Sequence, residues 1–417
     1  MAKRKNNEES INSYEQKRRR IEEKKSTVTD IVFNKMKLPF DSITREELNR
    51  MKEDDLDKLV LNASSVLSVV PISSALWKII NSKAPVHTKY HALERLKETR
   101  CNSNGEKAQK WINLFLKIPF GLYKTIPVLN KEEATDWILK SREILDELIY
   151  GNTDLKTRLL EYVGKNLQNP IATKNVICLA GPPGIGKTTF LKAIGLIFNR
   201  PIVHIPLGGI SKSDILIGHS YTYVGSNVGK IMAGIINSGV MNPVFAFDEA
   251  DKIGKSGEIS EIHSLLLQLV DVAQNGFEDS YMDNVSLNLS SCVFCFTVND
   301  TSRLDPILLD RMLVLNMSEY NKADAFEITK QFVIPKILTN YKRTIEEISI
   351  TDNHIHKILD KIMDTKTGIR IIEHSIERII AAVNLHLILN TNFNINKEIE
   401  SSLNIFKKKE QNFSYYT

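Results

Sequence analysis

Two hydrophobic periodicities divide this chain. From about residue 29 to 149 apolar positions recur at three- and four-residue spacing, as in Leu56-Leu59-Val60 and Trp137-Ile138-Ile144-Leu145-Leu148-Ile149. That is the stripe of amphipathic helices. Little of the stretch alternates with period two, so it predicts an all-helical region with a polar joint at ETRCNSNGEK, residues 98–107. After Gly151 the texture changes: short, wholly apolar runs at 176–180, 202–205, 244–247 and 292–298 alternate with helical segments. Strands buried on both faces read this way, and their alternation with helices predicts an α/β fold built on a doubly wound parallel sheet. Beyond Ser318 the strand signal ends, leaving helices near 321–338, 353–363 and 369–389. The expected order is a basic tail over 1–28, a helical N-terminal or neck domain over 29–145 and an α/β domain over 146–318. A small helical domain over 319–392 and a polar tail over 393–417 follow.

Composition narrows the class. With 417 residues, 42% hydrophobic and 25% charged, the chain has material for more than one core. The longest apolar stretch, 59–80, is interrupted by Asn62, Pro71 and Lys78, so no membrane span is expected. The start, MAKRKNNEES, lacks the apolar segment of a secretory signal. Four cysteines are too few for a disulfide scaffold, and a cytoplasmic or nuclear site is expected. Net charge is +5, but residues 1–25 hold nine Lys or Arg against five Glu. The rest is nearly neutral, which argues against a broad nucleic-acid surface and leaves nucleic acid only the basic tail. That tail reads either as a solvated segment or, through KRRR, as a nuclear import signal.

Chemistry enters at GPPGIGKT, residues 181–188, which follows the run 176–180 and opens the helical TFLKAIGLIF. Strand, glycine-rich loop and helix in this order form a phosphate loop. Gly181, Pro182, Pro183, Gly184, Ile185 and Gly186 turn backbone amides toward ATP phosphates, and the helix entered at Lys187, Thr188 and Thr189 adds its positive end. Lys187 is expected on the β- and γ-phosphates and the Thr188 hydroxyl on Mg²⁺. VFAFDE, residues 244–249, supplies the second half: Asp248 as the other Mg²⁺ residue and Glu249 as the base that deprotonates the attacking water. A third run, CVFCFTVN, ends in Asn299, expected beside the γ-phosphate as a sensor. Its Cys292-x-x-Cys295 spacing suggests zinc or redox chemistry, but residues three apart on a strand face opposite ways, so both are expected in the core.

Together GPPGIGKT, VFAFDEADKIG, FTVND and LLDRM resemble the AAA+ ATPases, and the text between them is similar to Lon proteases. The likeness includes LGGISKSDILIGHSYTYVGSNVGKI at 207–231, VDVAQNGFEDSYMD at 270–283, TGIR at 367–370, and upstream WINLFLKIPF and SREILDELIYGNTDLKTRLLEYV; it covers 111–389. The resemblance implies a catalytic arginine finger at Arg311 acting on a neighbouring subunit, a second sensor at Arg370 and an adenine-side contact at Tyr150. A finger acting in trans needs an oligomer, so the resemblance implies a homo-hexameric ring. It also implies that Tyr223, Val224 and Gly225 form a pore loop gripping a polypeptide substrate, with Gly218, Gly225 and Gly229 letting the loop move. Too few residues follow Arg370 for the family's Ser-Lys peptidase domain, so intrinsic protease activity is not expected and a separate peptidase is a candidate partner. Departures from the family pattern are Ser220-Tyr221 in place of a basic pair, Ala250 in place of isoleucine, and a shortened GKSGEIS. The expected function is an ATP-hydrolysing protein unfoldase or remodeller; the alternative is a nucleic-acid motor or loader.

Overall fold

A computed structural model describes residues 75–99, 105–126, 130–168, 175–210, 212–221, 223, 225–253, 259–271, 276–362 and 368–389. Both expected tails, Cys101 and Val224 lie outside the described residues. In chain order the elements begin with helices α1 (Ala75–Asn81), α2 (Val86–Glu98), α3 (Gly105–Phe115), α4 (Lys131–Leu148) and α5 (Thr153–Gln168). Next come β1 (Val176–Ala180), α6 (Lys187–Ile197), β2 (Ile202–Pro206), α7 (Asp214–Ile217), α8 (Lys230–Ser238), β3 (Val244–Asp248) and α9 (Ile259–Val270). They continue with β4 (Phe277–Glu278), β5 (Ser286–Leu287), β6 (Val293–Val298), α10 (Pro306–Asp310) and β7 (Leu313–Asn316). Helices α11 (Lys322–Ile328), α12 (Ile334–Asn340), α13 (Asp352–Ile362) and α14 (Ile369–Ile388) complete the series. No described helix is long and apolar enough to cross a membrane.

These elements fall into two compact units. The first takes the described residues up to Tyr123 together with Leu216–Met241 and Glu278–Leu287, two segments inserted from far along the chain. Its helices are seated by their apolar stripes: α3 buries Ala108, Trp111, Ile112 and Phe115, the spacing of a single helical face. Trp111 stacks on Phe115 at 5.5 Å and takes the edge of His91 from α2 at 5.6 Å.

The second unit holds the sheet, whose five strands lie in the order β2-β3-β6-β1-β7, all parallel. The α/β expectation is thus met. Alternation along the strands sorts their side chains. Ile177, Leu179, Val244, Ala246, Val293 and Cys295 face one core with Phe190, Leu191 and Ile194 of α6 and Leu155 and Leu159 of α5. Phe245, Phe247, Phe294 and Phe296 form an aromatic stack, with Phe247 and Phe296 centroids 5.0 Å apart. Cys292 and Cys295 are fully buried and form no disulfide, and burial pushes the Cys292 thiol up to about 12. Neither is placed to ionise at neutral pH.

Two expectations need correction. Of the expected helical region over 29–145, residues 29–74 lie outside the described residues, and in the described part α4 belongs to the second unit, where Leu145 is buried in the sheet core and Trp137 donates its indole N–H to the Ile197 carbonyl at 3.1 Å. Strand β7 was not expected, yet its Ile177↔Leu313 register with β1 extends the sheet by one strand. Beyond it, α11 to α14 pack around a separate core of Ile355, Ile358, Ile372, Ile376, Ile379 and their neighbours. Asn321 and Asp324 close a capping box at the start of α11, which fixes where this small helical body begins.

Because Phe247 is fully buried and stacked on Phe245, Phe294 and Phe296, truncation should leave a cavity. Phe247→Ala is expected to lower stability by roughly 3–5 kcal/mol, read from the midpoint of denaturant unfolding. A shift under about 1 kcal/mol would show that the stack carries little of the fold.

Candidate functional site

Strand β1 is buried along its whole length and ends at Ala180, where the chain must leave the sheet at once. Gly181 makes that turn at φ +149°, its N–H donating to Val298 O at 3.1 Å. A Cβ there would lie 2.5 Å from the Met317 carbonyl oxygen, so only glycine fits. The loop ends at Gly186, whose φ of +97° sets the start of α6 and leaves the first helical N–H groups free for an anion. From the small helical body, Gly368 approaches so closely that a Cβ would meet the Pro183 oxygen at 2.6 Å.

Lys187, Asn299, Asp248 and Glu249 stand together beside this loop. The Lys187 ammonium donates to the Gly181 and Pro182 carbonyls and, at 2.7 Å, to Asn299 Oδ1 at the end of β6. Burial pulls its pKa below the usual lysine range, while the carboxylates of Asp251, Asp248 and Glu249 pull the other way. Asp248 ends β3; its Oδ1 accepts from the Thr297 hydroxyl and from the Glu249 N–H at 3.1 Å. The Glu249 N–H also reaches Thr297 Oγ1 at 3.2 Å. Glu249 itself sits at φ +57°, left-handed backbone that a non-glycine residue adopts only under local constraint. Its carboxylate pairs with Lys252 and lies against Gly208, where a Cβ would stand 2.5 Å from Oε2.

A cavity of about 930 Å³ opens here. Tyr150, Pro183, Gly184, Ile185, Gly186, Lys187, Thr188, Thr189, Asp248, Glu249, Asn299 and Arg370 all line it, so most residues singled out in the sequence meet in one place. Gly181 and Pro182 act from behind it through their carbonyls. Arg311 is elsewhere: it caps the C-terminus of α10 and pairs with Asp271 at 2.9 Å. Tyr223 and Gly225 belong to the first unit, Tyr223 with 68% of its surface exposed.

The sequence reading missed several lining residues. Thr297 becomes visible only through the Phe247↔Phe296 register, which sets it beside Asp248. Phe332 and Val333 reach the cavity from a π-helical turn, Thr329–Val333, that joins α11 to α12, and π-turns concentrate at functional sites. Asp251 lies 8% exposed beside Lys187, with its Oδ1 buried and unpartnered.

This arrangement fits a nucleoside triphosphate. An amide-lined loop and a lysine would suit the phosphates, and the apolar Ile149, Ile328, Phe332 and Val333 would suit a base. Thr188 and Asp248 are the residues that would hold Mg²⁺. Among the described residues no group of three or more His, Cys, Asp or Glu side chains could hold a metal alone, so the cation's shell would be completed by phosphate oxygens and water.

Comparison with known proteins decides the family. Residues 177–320 match the model of the ATPase family associated with various cellular activities (AAA). The chain is 31% identical over 368 residues to "Lon protease homolog" of Acanthamoeba polyphaga mimivirus, covering 86% of this chain and 35% of that protein. It is 34% identical over 319 residues to "Lon protease" of Clostridioides difficile (strain 630), covering 72% and 39%. The chain carries an AAA ATPase domain similar to that of Lon proteases. The chain spans well under half the length of these curated relatives, at 35% and 39%. A further relative, "Lon protease homolog 2, peroxisomal" of Spinacia oleracea, is 29% identical over 340 residues, 81% of this chain and 36% of its own.

Thr297 gives the AAA site a test. Thr297→Val removes the hydroxyl that both donates to Asp248 and accepts from Glu249. The Mg²⁺ concentration for half-maximal ATP hydrolysis should rise roughly 10- to 100-fold, the usual effect of losing a group that orients a metal-binding carboxylate. An unchanged Mg²⁺ titration would refute that role.

Proposed function

We propose that this chain is the ATP-hydrolysing motor of a homo-hexameric ring that unfolds, threads or remodels polypeptides. The observation that carries the reading is the convergence of Lys187, Asp248, Glu249, Asn299 and Arg370 on one cavity while Arg311 stays outside it. An arginine that cannot serve its own nucleotide is available to a neighbour's, which supports a ring. Names of relatives such as "Lon protease" support a polypeptide as the substrate.

In the proposed cycle Lys187 exchanges its bonds to Gly181, Pro182 and Asn299 for bonds to β- and γ-phosphate oxygens. Asn299, released from the lysine, orients the attacking water. Glu249 takes that water's proton, and its left-handed backbone together with the Lys252 pair fixes where the carboxylate stands. Thr188 and Asp248 would hold Mg²⁺, which when bound would neutralise charge that develops on the phosphates. Arg370 enters at the second residue of α14 and ties the small helical body to the same nucleotide. Arg311 adds positive charge to the neighbouring subunit's transition state.

Tyr223 supports the choice of polypeptide over nucleic acid. It is exposed and aromatic, and Gly225 beside it takes φ +81°. The sequence GHSYTYVGSNVG around it carries no Lys or Arg with which to hold a phosphate backbone.

Two experiments test the proposal. Glu249→Gln should lower the rate of ATP hydrolysis by about 10²- to 10⁴-fold while nucleotide binding persists; turnover near that of the parent would remove Glu249 from the base role. Separately, ATP hydrolysis is measured with a reduced, carboxymethylated protein that cannot fold and with single- and double-stranded DNA. Stimulation by the polypeptide, abolished by Tyr223→Ala, is the expected result. Stimulation by DNA alone would establish the nucleic-acid motor instead.

A further inference from the structure

The stretch 218–229 was expected to move on its glycines, but its base is closed. Gly218 and Gly229 are packed backbone to backbone: a Cβ on Gly218 would lie 2.8 Å from the Gly229 nitrogen, and one on Gly229 would lie 2.1 Å from the Leu216 oxygen. The Gly229 N–H donates to Asp279 Oδ2 at 2.7 Å. Asp279 is 1% exposed, and its other oxygen accepts from the N–H groups of Tyr281 at 2.9 Å and Met282 at 3.3 Å. A carboxylate held by three amides in the interior fixes the backbone it touches.

The clamp continues from the N-terminal helices. Lys110 of α3 donates from Nζ to Ser226 O at 3.1 Å and to Asn227 Oδ1 at 2.5 Å, and stands 5.6 Å over the Tyr281 ring. The Ser226 hydroxyl in turn donates to the Tyr223 carbonyl at 2.9 Å, and the Tyr223 N–H donates to Ser220 O at 3.1 Å. From α2, Arg95 lies 4.4 Å over the Tyr221 ring and donates to Asp283 at 2.7 Å. All of these residues lie within the first unit. Two successive links, each a hydrogen bond, thus separate the Lys110 ammonium from the backbone of Tyr223, whose ring stays exposed.

We infer that Lys110 is a positioning residue for the polypeptide grip: it holds the Ser226-Asn227 side of the loop so that Tyr223 is presented from the N-terminal helices as a rigid prong. The inference rests on the proposed reading of Tyr223 as the grip. A mounted aromatic loses little conformational freedom when a chain slides against it, so the mount acts on affinity for polypeptide before it acts on turnover. Lysine suits the place because one ammonium serves a carbonyl and an amide oxygen at once.

The test uses the full chain with Lys110→Ala, Lys110→Arg and, as a control for lost charge nearby, Lys117→Ala. Amide hydrogen exchange is followed across 218–229, and the concentration of reduced, carboxymethylated protein giving half-maximal stimulation of ATP hydrolysis is measured for each. Lys110→Ala should speed exchange in 218–229 and raise that concentration about tenfold, the expected loss for hydrogen bonds to a charged group, with maximal stimulated turnover less affected. Lys110→Arg should recover most of both, and Lys117→Ala should change neither. Parent-like exchange and half-saturation in Lys110→Ala would overturn the inference. Should Tyr223→Ala retain full stimulation by polypeptide, the grip reading fails, and faster exchange in Lys110→Ala would then show a mount for a loop with another role.

Discussion

Everything at the nucleotide cavity depends on three parallel strands ending within one residue of a common level. β1 pairs with β6 and β6 with β3, so Ala180 stands opposite Val298 and Phe247 opposite Phe296. Gly181 and Asn299 follow the first pair and lie just outside the sheet, while Asp248, the last residue of β3, follows the second and is set beside Thr297. No hydrogen bond in the cavity creates that alignment. It is set by ladder register, and a slip of one residue would also turn the aromatic stack of Phe245, Phe247, Phe294 and Phe296 toward the opposite layer. The packing of the sheet and the placement of its chemistry are therefore one constraint.

Within that frame two positive charges are held with different strength. Lys187 is half-buried, deprived of water and bonded to two carbonyls and an amide, so it is poised to accept phosphate oxygens in their place. For a buried ammonium a doubly charged partner is a better environment than neutral dipoles. Arg311 has 35% of its side chain exposed and is paired with an Asp271 of similar exposure. A pair that open to water contributes about 0–1 kcal/mol, so little is lost when the guanidinium leaves it. The tight site belongs to the chain's own nucleotide, and the loosely held arginine is the one proposed to act on another subunit.

Much of this was legible because the chemistry is local in the sequence. GPPGIGKT needs only the strand before it and the helix after it, and both appear as β1 and α6. VFAFDE and CVFCFTVN are apolar runs with a polar end, which is how a buried strand reaching a site must look. What escaped notice depends on contacts across the chain. Thr297 is one more residue of an apolar strand until register places it beside Asp248. Strand β7 has four residues, Leu313–Asn316, directly after a short helix, too few to show a period. Helix α4 has the same periodicity as its N-terminal neighbours, and only the burial of Leu145 tells which core it serves.

The glycines of GHSYTYVGSNVG show how composition alone misdirects. Glycine permits motion, but it also permits two backbones to touch, and the sequence does not distinguish these uses. At Gly218 and Gly229 the closeness of Leu216, Asn227 and Asp279 decides for contact. Gly225, with nothing within 4 Å of its would-be Cβ, is instead kept by its φ of +81°. The conformational freedom that the sequence suggested at Gly218 and Gly229 is therefore absent. In the proposed grip, a loop with a fixed base and an exposed aromatic tip transmits force along its backbone, whereas one hinged at both ends would yield first.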